Sequence, residues 1–137
     1  MDLARKTMVI AAIALWVGLL AAAQQPADLV GTWSGEATLE GTGEPDVLTL
    51  VLELKDGKLV GRMTDQYGAI DGEIKDIVLE KDSFNFATSV NFGSANSDES
   101  HQGTIFFKMK LSGNSMKGEI EIPEMSAKGT WQATKQK

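Results

Sequence analysis

The 137-residue sequence contains no cysteine and one histidine, and these absences exclude several kinds of chemistry. Without cysteine the fold does not depend on disulfides or on thiolate ligands. A usual zinc site needs a second histidine or a thiol, and a Ser-His-Asp set has only His101 available. We predict that His101 is a solvated loop residue, that the protein holds no metal and no cofactor, and that it is not an enzyme.

Clusters of basic residues are also missing. The chain has 13 Lys and Arg against 19 Asp and Glu, with a net charge of −6. Because affinity for nucleic acid comes largely from clustered Lys and Arg that neutralise phosphates, we expect no nucleic-acid partner. A net negative charge is typical of a surface that keeps a protein soluble and monomeric, and we expect a monomer.

The N-terminal segment differs in composition from the rest of the chain. Arg5 and Lys6 precede an apolar run over 8–23, which ends in three alanines. A basic region, a short apolar core and a small-residue cleavage site form the pattern of a secretory signal peptide. We predict a signal helix over 1–23 that is removed, leaving a periplasmic or secreted protein of residues 24–137 without a membrane span. An uncleaved membrane anchor is the alternative, but the run is shorter than the roughly 20 residues that a spanning helix needs.

After Pro26, short runs of alternating apolar and polar residues are separated by Gly, Asp, Asn and Ser, and no stretch keeps a helical period. Alternation at every second residue indicates strands with one buried face. The length of this part suits one domain with one core. The sequence predicts an all-β domain of eight strands, over 29–39, 47–55, 58–65, 74–80, 83–90, 103–111, 115–122 and 126–134.

The fourth of these strands interrupts the alternation. Ile70 and Ile74 share one parity, whereas Ile77 and Leu79 share the other. One extra residue near positions 75–76 would return the later residues to the inward face. We therefore predict a bulge or a small turn at that point.

A short segment near the start of the domain returns near its end, since Gly31-Thr32-Trp33 is repeated as Gly129-Thr130-Trp131. If the first and last strands pair, the sheet closes on itself and leaves no unpaired edge. Because the connections are mostly short, the simplest topology is an eight-stranded antiparallel up-and-down barrel; a two-sheet sandwich is the alternative. In the barrel, both tryptophans are expected to be buried in one core.

The Gly-x-Trp segment at Trp33 resembles the lipocalins and the wider calycin group, in which a tryptophan of the first strand plugs the closed end of the barrel. Residues 24–137 as a whole are similar to a small bacterial lipocalin-like domain with Gly-x-Trp-x-Gly at its start and Gly-Thr-Trp at its end. The resemblance implies an eight-stranded barrel and, as in lipocalins, an apolar ligand cavity. A lipocalin-type Thr-Asp-Tyr motif and an arginine after the last strand are missing.

Two hypotheses for function follow from the inward positions, which are almost wholly apolar. Glycines there, such as Gly35 and Gly118, either let a strand bend or leave space inside, and an eight-stranded barrel can be filled or can hold one small ligand. The first hypothesis is binding of an apolar or amphipathic small molecule, through a mouth framed by 41–45 and 91–102. The second is a non-catalytic interaction or accessory domain with a filled core, acting through its outer surface or loops. The expected cavity-lining residues are Trp33, Leu50, Met63, Phe84, Phe86, Phe107, Met109 and Trp131.

We expect His101→Ala to leave both the fold and any binding activity unchanged, because a solvated loop histidine has no partner to lose. Thermal melting and metal analysis of the purified variant check this. Loss of a bound metal or of an enzymatic turnover in the variant would contradict it.

Overall fold

The computed structural model of the protein describes residues 25–41, 43–92 and 101–137. In these ranges the chain forms two short 3-10 helices, Pro26–Leu29 and Pro123–Met125, and neither is long and apolar enough to cross a membrane. The predicted signal helix over 1–23 lies outside the described residues. The strands are β1 (Gly31–Leu39), β2 (Asp46–Lys55), β3 (Lys58–Asp65), β4 (Asp71–Glu73), β5 (Lys75–Glu80), β6 (Ser83–Phe92), β7 (His101–Ser112), β8 (Ser115–Ile122) and β9 (Ala127–Lys135). The prediction that His101 lies in a loop is wrong, because His101 begins β7 and pairs with Phe92 of β6.

Local sequence explains why these strands form. In β8, Met116 and Ile120 are buried whereas Lys117 and Glu119 between them are exposed, so the period of two separates a core face from a solvent face. The turn between β2 and β3 uses Asp56-Gly57, in which both residues have positive φ. Two-residue hairpin turns of this kind favour Asp-Gly because both positions are left-handed.

The strands form one antiparallel sheet in the order β4-β3-β2-β1-β9-β8-β7-β6-β5, in which the first and last long strands are neighbours. The predicted pairing of first and last strands is therefore confirmed, with Ala37 opposite Trp131. The sheet curls into a nearly closed barrel. The predicted all-β, antiparallel, up-and-down architecture is confirmed.

The number of strands is nine rather than the predicted eight, because the fourth predicted strand (74–80) corresponds to β5 and is preceded by a separate short strand, β4. β4 pairs with β3 and β5 pairs with β6, so the chain changes partners at Ile74. The predicted extra residue is present, since the β5–β6 register shifts between Lys75 and Val78 and Asp76 has a φ of 53°. The bulge lies after the change of partners and returns Ile77 and Leu79 to the inward face, where both pack against the core.

A seam between β4 and β6 completes the barrel wall. There the Thr88 hydroxyl donates a hydrogen bond to the Glu73 carbonyl oxygen at 3.2 Å, and the Asn91 N–H donates to the Ala69 carbonyl oxygen at 2.8 Å. Thr88 is fully buried, so its hydroxyl needs such a partner. The barrel is thus joined at the seam by individual hydrogen bonds, whereas ladders join its other strands.

The two repeated tryptophans are both fully buried, which confirms the prediction for Trp33 and Trp131. The Trp33 indole N–H donates to the Leu29 carbonyl oxygen at 2.9 Å, and the Trp131 indole N–H donates to the Gly35 carbonyl oxygen at 3.0 Å. Leu29 is itself fully buried and belongs to the 3-10 helix that precedes β1. The segment Pro26–Leu29 therefore covers the Trp33 end of the core.

Inward glycines mark points where neighbouring strands approach closely. A Cβ at Gly118 would lie 1.9 Å from the Lys108 carbonyl oxygen, and one at Gly35 would lie 1.7 Å from that of Gln132. Both distances are far inside van der Waals contact. Of the two roles that the sequence left open for these glycines, the structure supports close approach and bending rather than empty space.

We expect Trp33→Ala and Trp131→Ala each to lower the melting temperature by more than about 10 °C, because truncating a buried tryptophan costs about 3 to 5 kcal/mol. Phe106→Ala is the control, since Phe106 is 41% exposed. Thermal unfolding followed by circular dichroism measures all three. Equal effects for Phe106 and the tryptophans would contradict the burial of the indole rings.

We expect Gly118→Ala to prevent folding or to lower the melting temperature by more than about 10 °C, because a strand would have to move away from the added methyl group. Gly72→Ala is a matched control on β4, where the nearest atom to an added Cβ is the Thr88 Oγ1 at 3.9 Å. The control is expected to stay within about 5 °C of the parent. A well-tolerated Gly118→Ala would show that the strands are not in close contact there.

Candidate functional site

All eight residues predicted to line a cavity lie in the core, where they are at most 3% exposed. Their aromatic members contact one another in a row: the ring centroids of Phe84 and Phe86 are 5.0 Å apart, and those of Phe86 and Phe107 are stacked at 4.5 Å. Phe107 then meets the edge of Trp131 at 5.5 Å. These side chains fill the middle of the barrel with one another, so their role as ligand contacts stays a prediction.

A cavity of about 220 Å3, which we call the mouth cavity, lies at the end of the barrel remote from the Pro26–Leu29 helix. It is enclosed by the last residues of β1, β3, β6 and β8, the first residues of β2 and β7, and the connections that follow β3 and β8. The first hypothesis placed the ligand entrance at this end. Its lining residues are Ala37, Leu39, Glu44, Asp46, Leu48, Asp65, Ala69, Ile70, Val90, Asn91, Ile105, Ile120, Ile122 and Met125. None of the eight predicted residues is among them.

The volume limits what the mouth cavity can hold. It is smaller than the roughly 300 Å3 at the low end of ordinary ligand pockets, whereas a cavity of about 150 Å3 is enough for benzene. A bound molecule would therefore be about the size of one aromatic ring or a short alkyl chain.

Two aspartates bring carboxyl groups into the mainly apolar lining. Asp46 begins β2 and Asp65 ends β3, and the register of this hairpin, with Leu48 opposite Asp65, places both at the mouth. Each is partly buried. One oxygen of each, Asp46 Oδ1 and Asp65 Oδ2, is shut off from solvent and has no hydrogen-bond partner outside the pair among the described residues. The two carboxyl groups are near enough to shift each other's pKa values.

Asp65 is the ionised member of this pair because the following turn holds its carboxylate. Its Oδ1 accepts a hydrogen bond from the Ile70 N–H at 3.0 Å, and its own N–H donates to the Ile70 carbonyl oxygen at 3.1 Å. Burial raises the pKa of Asp65, but hydrogen bonds from Asp46 and from the N–H groups of Ile70, Tyr67 and Gly68 outweigh burial and lower it.

Asp46 is the member that takes up a proton first as pH falls. Burial, followed by the hydrogen bond to Asp65 and its negative charge, raises the pKa of Asp46 from 3.8 to about 6. Hydrogen bonds from the backbone N–H groups of Gln66 and Val47 act in the opposite direction without cancelling this effect. Two adjacent carboxyl groups whose pKa values are pushed apart in this way form a site that accepts a cation or a hydrogen-bond donor.

The carboxyl pair was not predicted from the sequence, although both aspartates follow the alternating pattern of their strands. Asp46 has the parity of the inward residues Leu48 and Leu50, and Asp65 has that of Gly61 and Met63. Extending each inward face by one step toward the mouth would have placed both aspartates inside. The apolar pattern of the two strands had suggested an interior without paired acids, and this expectation is wrong at the mouth.

Other polar clusters in the described chain are less suited to ligand binding. Asp71, on the irregular segment rich in acids, forms an ion pair with Arg62 at 2.5 Å, and both side chains are more than half exposed. Among the residues that the structure describes, no three His, Cys, Asp or Glu side chains converge on a point where they could hold a metal ion.

Comparison with known proteins gives no relative: the chain matches no family model, no curated protein and no solved structure. The lipocalin resemblance therefore rests on the Gly-x-Trp residues and is compatible with the barrel. Because a single fold serves many unrelated functions, function has to be argued from the mouth cavity itself.

We expect Asp46→Asn to be more stable than the parent at pH 7.5, by about 1 to 2 kcal/mol, and to differ less from it at pH 4.5. The raised pKa means that the folded parent keeps a proton which the unfolded chain has released, so the free energy of unfolding falls as pH rises from about 4 to about 6. Asp65, whose pKa is lowered, has the opposite effect below about pH 4. Urea unfolding of both proteins at the two pH values measures the difference. An equal difference at both values would contradict the coupling of the two carboxyl groups.

Proposed function

We propose that this protein is an exported β-barrel that binds a small amphipathic molecule in the mouth cavity. The observation that carries the proposal is a concave, mainly apolar site with two convergent carboxyl groups, a combination typical of small-molecule sites. Export is supported by the basic region, apolar run and small residues over 1–23.

The apolar part of such a ligand would contact side chains that are already withdrawn from water. Leu48, Ile105 and Ile120 line the cavity and are at most 2% exposed, and Val90 and Ile122 add to the same wall. The polar end would face Asp46 and Asp65. Because the aromatic core fills the middle of the barrel, the ligand would stay at the mouth.

The lining favours binding over catalysis. No Ser, Thr, Cys, His or Lys side chain is among the lining residues of the described chain, so a paired-carboxyl site there has no nucleophile beside it. Asp65 is also engaged by the backbone of the turn that follows it. We therefore propose a binding protein and not an enzyme.

A second candidate is the interaction or accessory domain, and the outer surface contains an observation in its favour. A groove of about 510 Å3 follows β2 and β3 and reaches Glu73, Ile74 and Ile77. It includes Val51 and Val60, which are 38% and 37% exposed. Phe106, another exposed apolar residue, lies beside charged Lys108 and Glu121. Partner binding through the groove would leave the mouth cavity empty.

We expect 1-hexanol, a small neutral amphiphile, to bind the 137-residue chain with amide shifts concentrated at Asp65, Ile70 and Val90 in 15N-1H NMR spectra. Ala69→Leu should weaken binding at least about fivefold, because the larger side chain occupies the cavity. Ala127→Leu is the matched control, since Ala127 is partly buried and lies outside the cavity lining. Native mass spectrometry of the protein purified from its own cells then searches for a retained ligand. Shifts confined to Val51 and Val60 would favour the interaction domain, and shifts insensitive to Ala69→Leu would contradict the mouth site.

A further inference from the structure

We infer that the ligand of the mouth cavity carries a protonated amine, which is bound by the Asp46 and Asp65 carboxyl groups. The inference rests on the proposed function and names the chemical class of its ligand. It concerns a small primary ammonium with a short alkyl chain or one ring, because the cavity measures about 220 Å3.

Charge is the first reason. The ionisable side chains that line the mouth cavity are Glu44, Asp46 and Asp65, and within the described ranges no Lys or Arg lies among the lining residues. The arginine of β3, Arg62, is exposed and already paired with Asp71. Within the described lining, no Lys or Arg side chain therefore neutralises the negative charge of the cavity. A cationic ligand would complement that charge.

The unfilled hydrogen-bonding capacity of the pair is the second reason. Asp46 Oδ1 and Asp65 Oδ2 are removed from solvent and have no hydrogen-bond partner outside the pair among the described residues. Buried polar oxygens are normally satisfied, and a carboxylate oxygen without a donor is unfavourable in partly apolar surroundings. An ammonium group has three N–H donors, so it can donate to both carboxyl groups through charge-assisted hydrogen bonds.

Other ligand classes complement the cavity less well. A carboxylate or phosphate would add a like charge beside Asp65 and Glu44. A metal ion would need a set of convergent ligands, and the described residues offer no group of three. A neutral alcohol could donate one hydrogen bond but would leave the charge uncompensated.

Three probes of equal chain length test the inference: hexylammonium, 1-hexanol and hexanoate. Each is titrated into the 137-residue chain at pH 7.5 and constant ionic strength, and the dissociation constant is taken from amide shifts at the mouth. An alkylamine stays protonated at this pH, as lysine does. We expect hexylammonium to bind at least about tenfold more tightly than 1-hexanol, and hexanoate to bind more weakly than both.

Asp46→Asn separates recognition by the carboxyl pair from general attraction to an acidic protein. In this variant the preference for hexylammonium over 1-hexanol, taken as the ratio of the two dissociation constants, should fall at least about fivefold. Asp56→Asn is the matched control, because it removes the same charge from the β2–β3 turn, where Asn-Gly is as suitable as Asp-Gly. Thermal melting of both variants verifies that they are folded.

The outcomes distinguish the two proposals. If 1-hexanol binds at the mouth as tightly as hexylammonium, or if the preference survives Asp46→Asn, the amine inference is wrong while the mouth site stands. If Asp56→Asn lowers the preference as much as Asp46→Asn, the effect is one of net charge and the inference is also wrong. If none of the three probes shifts the mouth residues, both proposals fail.

Discussion

The pairing of β1 with β9 is the constraint on which the rest of the structure depends. It joins residues almost a hundred positions apart, and it sets Trp131 opposite Ala37 so that the Trp131 indole reaches the Gly35 carbonyl oxygen. Without this pairing the sheet would have open long edges and no enclosed interior. Closure also explains the glycines, because a strand that approaches its neighbour as closely as Gly35 does has no room for a side chain.

The hydrogen bonds that join neighbouring strands differ in number around the barrel. Most neighbouring strands share continuous ladders, whereas the last junction depends on a short segment that changes partners at Ile74 and on hydrogen bonds from Thr88 and Asn91. The bulge at Asp76 follows this change and turns Ile77 and Leu79 toward the core. A local irregularity in the chain thus has a global consequence, since it allows a curved sheet to meet its own edge.

The barrel has two unlike ends for a physical reason. At one end the Pro26–Leu29 helix places Leu29 over Trp33, and the large apolar side chains leave no place for a polar group. At the other, the same inward rows end in Asp46 and Asp65. Burial there raises the pKa of Asp46, whereas hydrogen bonds, including those from backbone N–H groups of the following turn, lower the pKa of Asp65. Electrostatics and shape therefore point to the same end of the molecule as the place where a ligand would bind.

The sequence by itself determined the strands, their turns and the closure of the sheet. The signals were local patterns, which can be recognised in the sequence without knowing the fold. They are the alternation in β8, the Asp56-Gly57 turn, the parity change near Asp76 and the repeated Gly-Thr-Trp. What the interior contains was decided only by tertiary structure. Phe86 and Phe107 either line a cavity or fill the interior of the barrel. The outcome depends on the curvature of the sheet and on the combined volume of many side chains, and a short sequence pattern determines neither. The meeting of Asp46 with Asp65 depends likewise on the register of two strands, and their unequal charge depends on burial and on the turn that holds one of them.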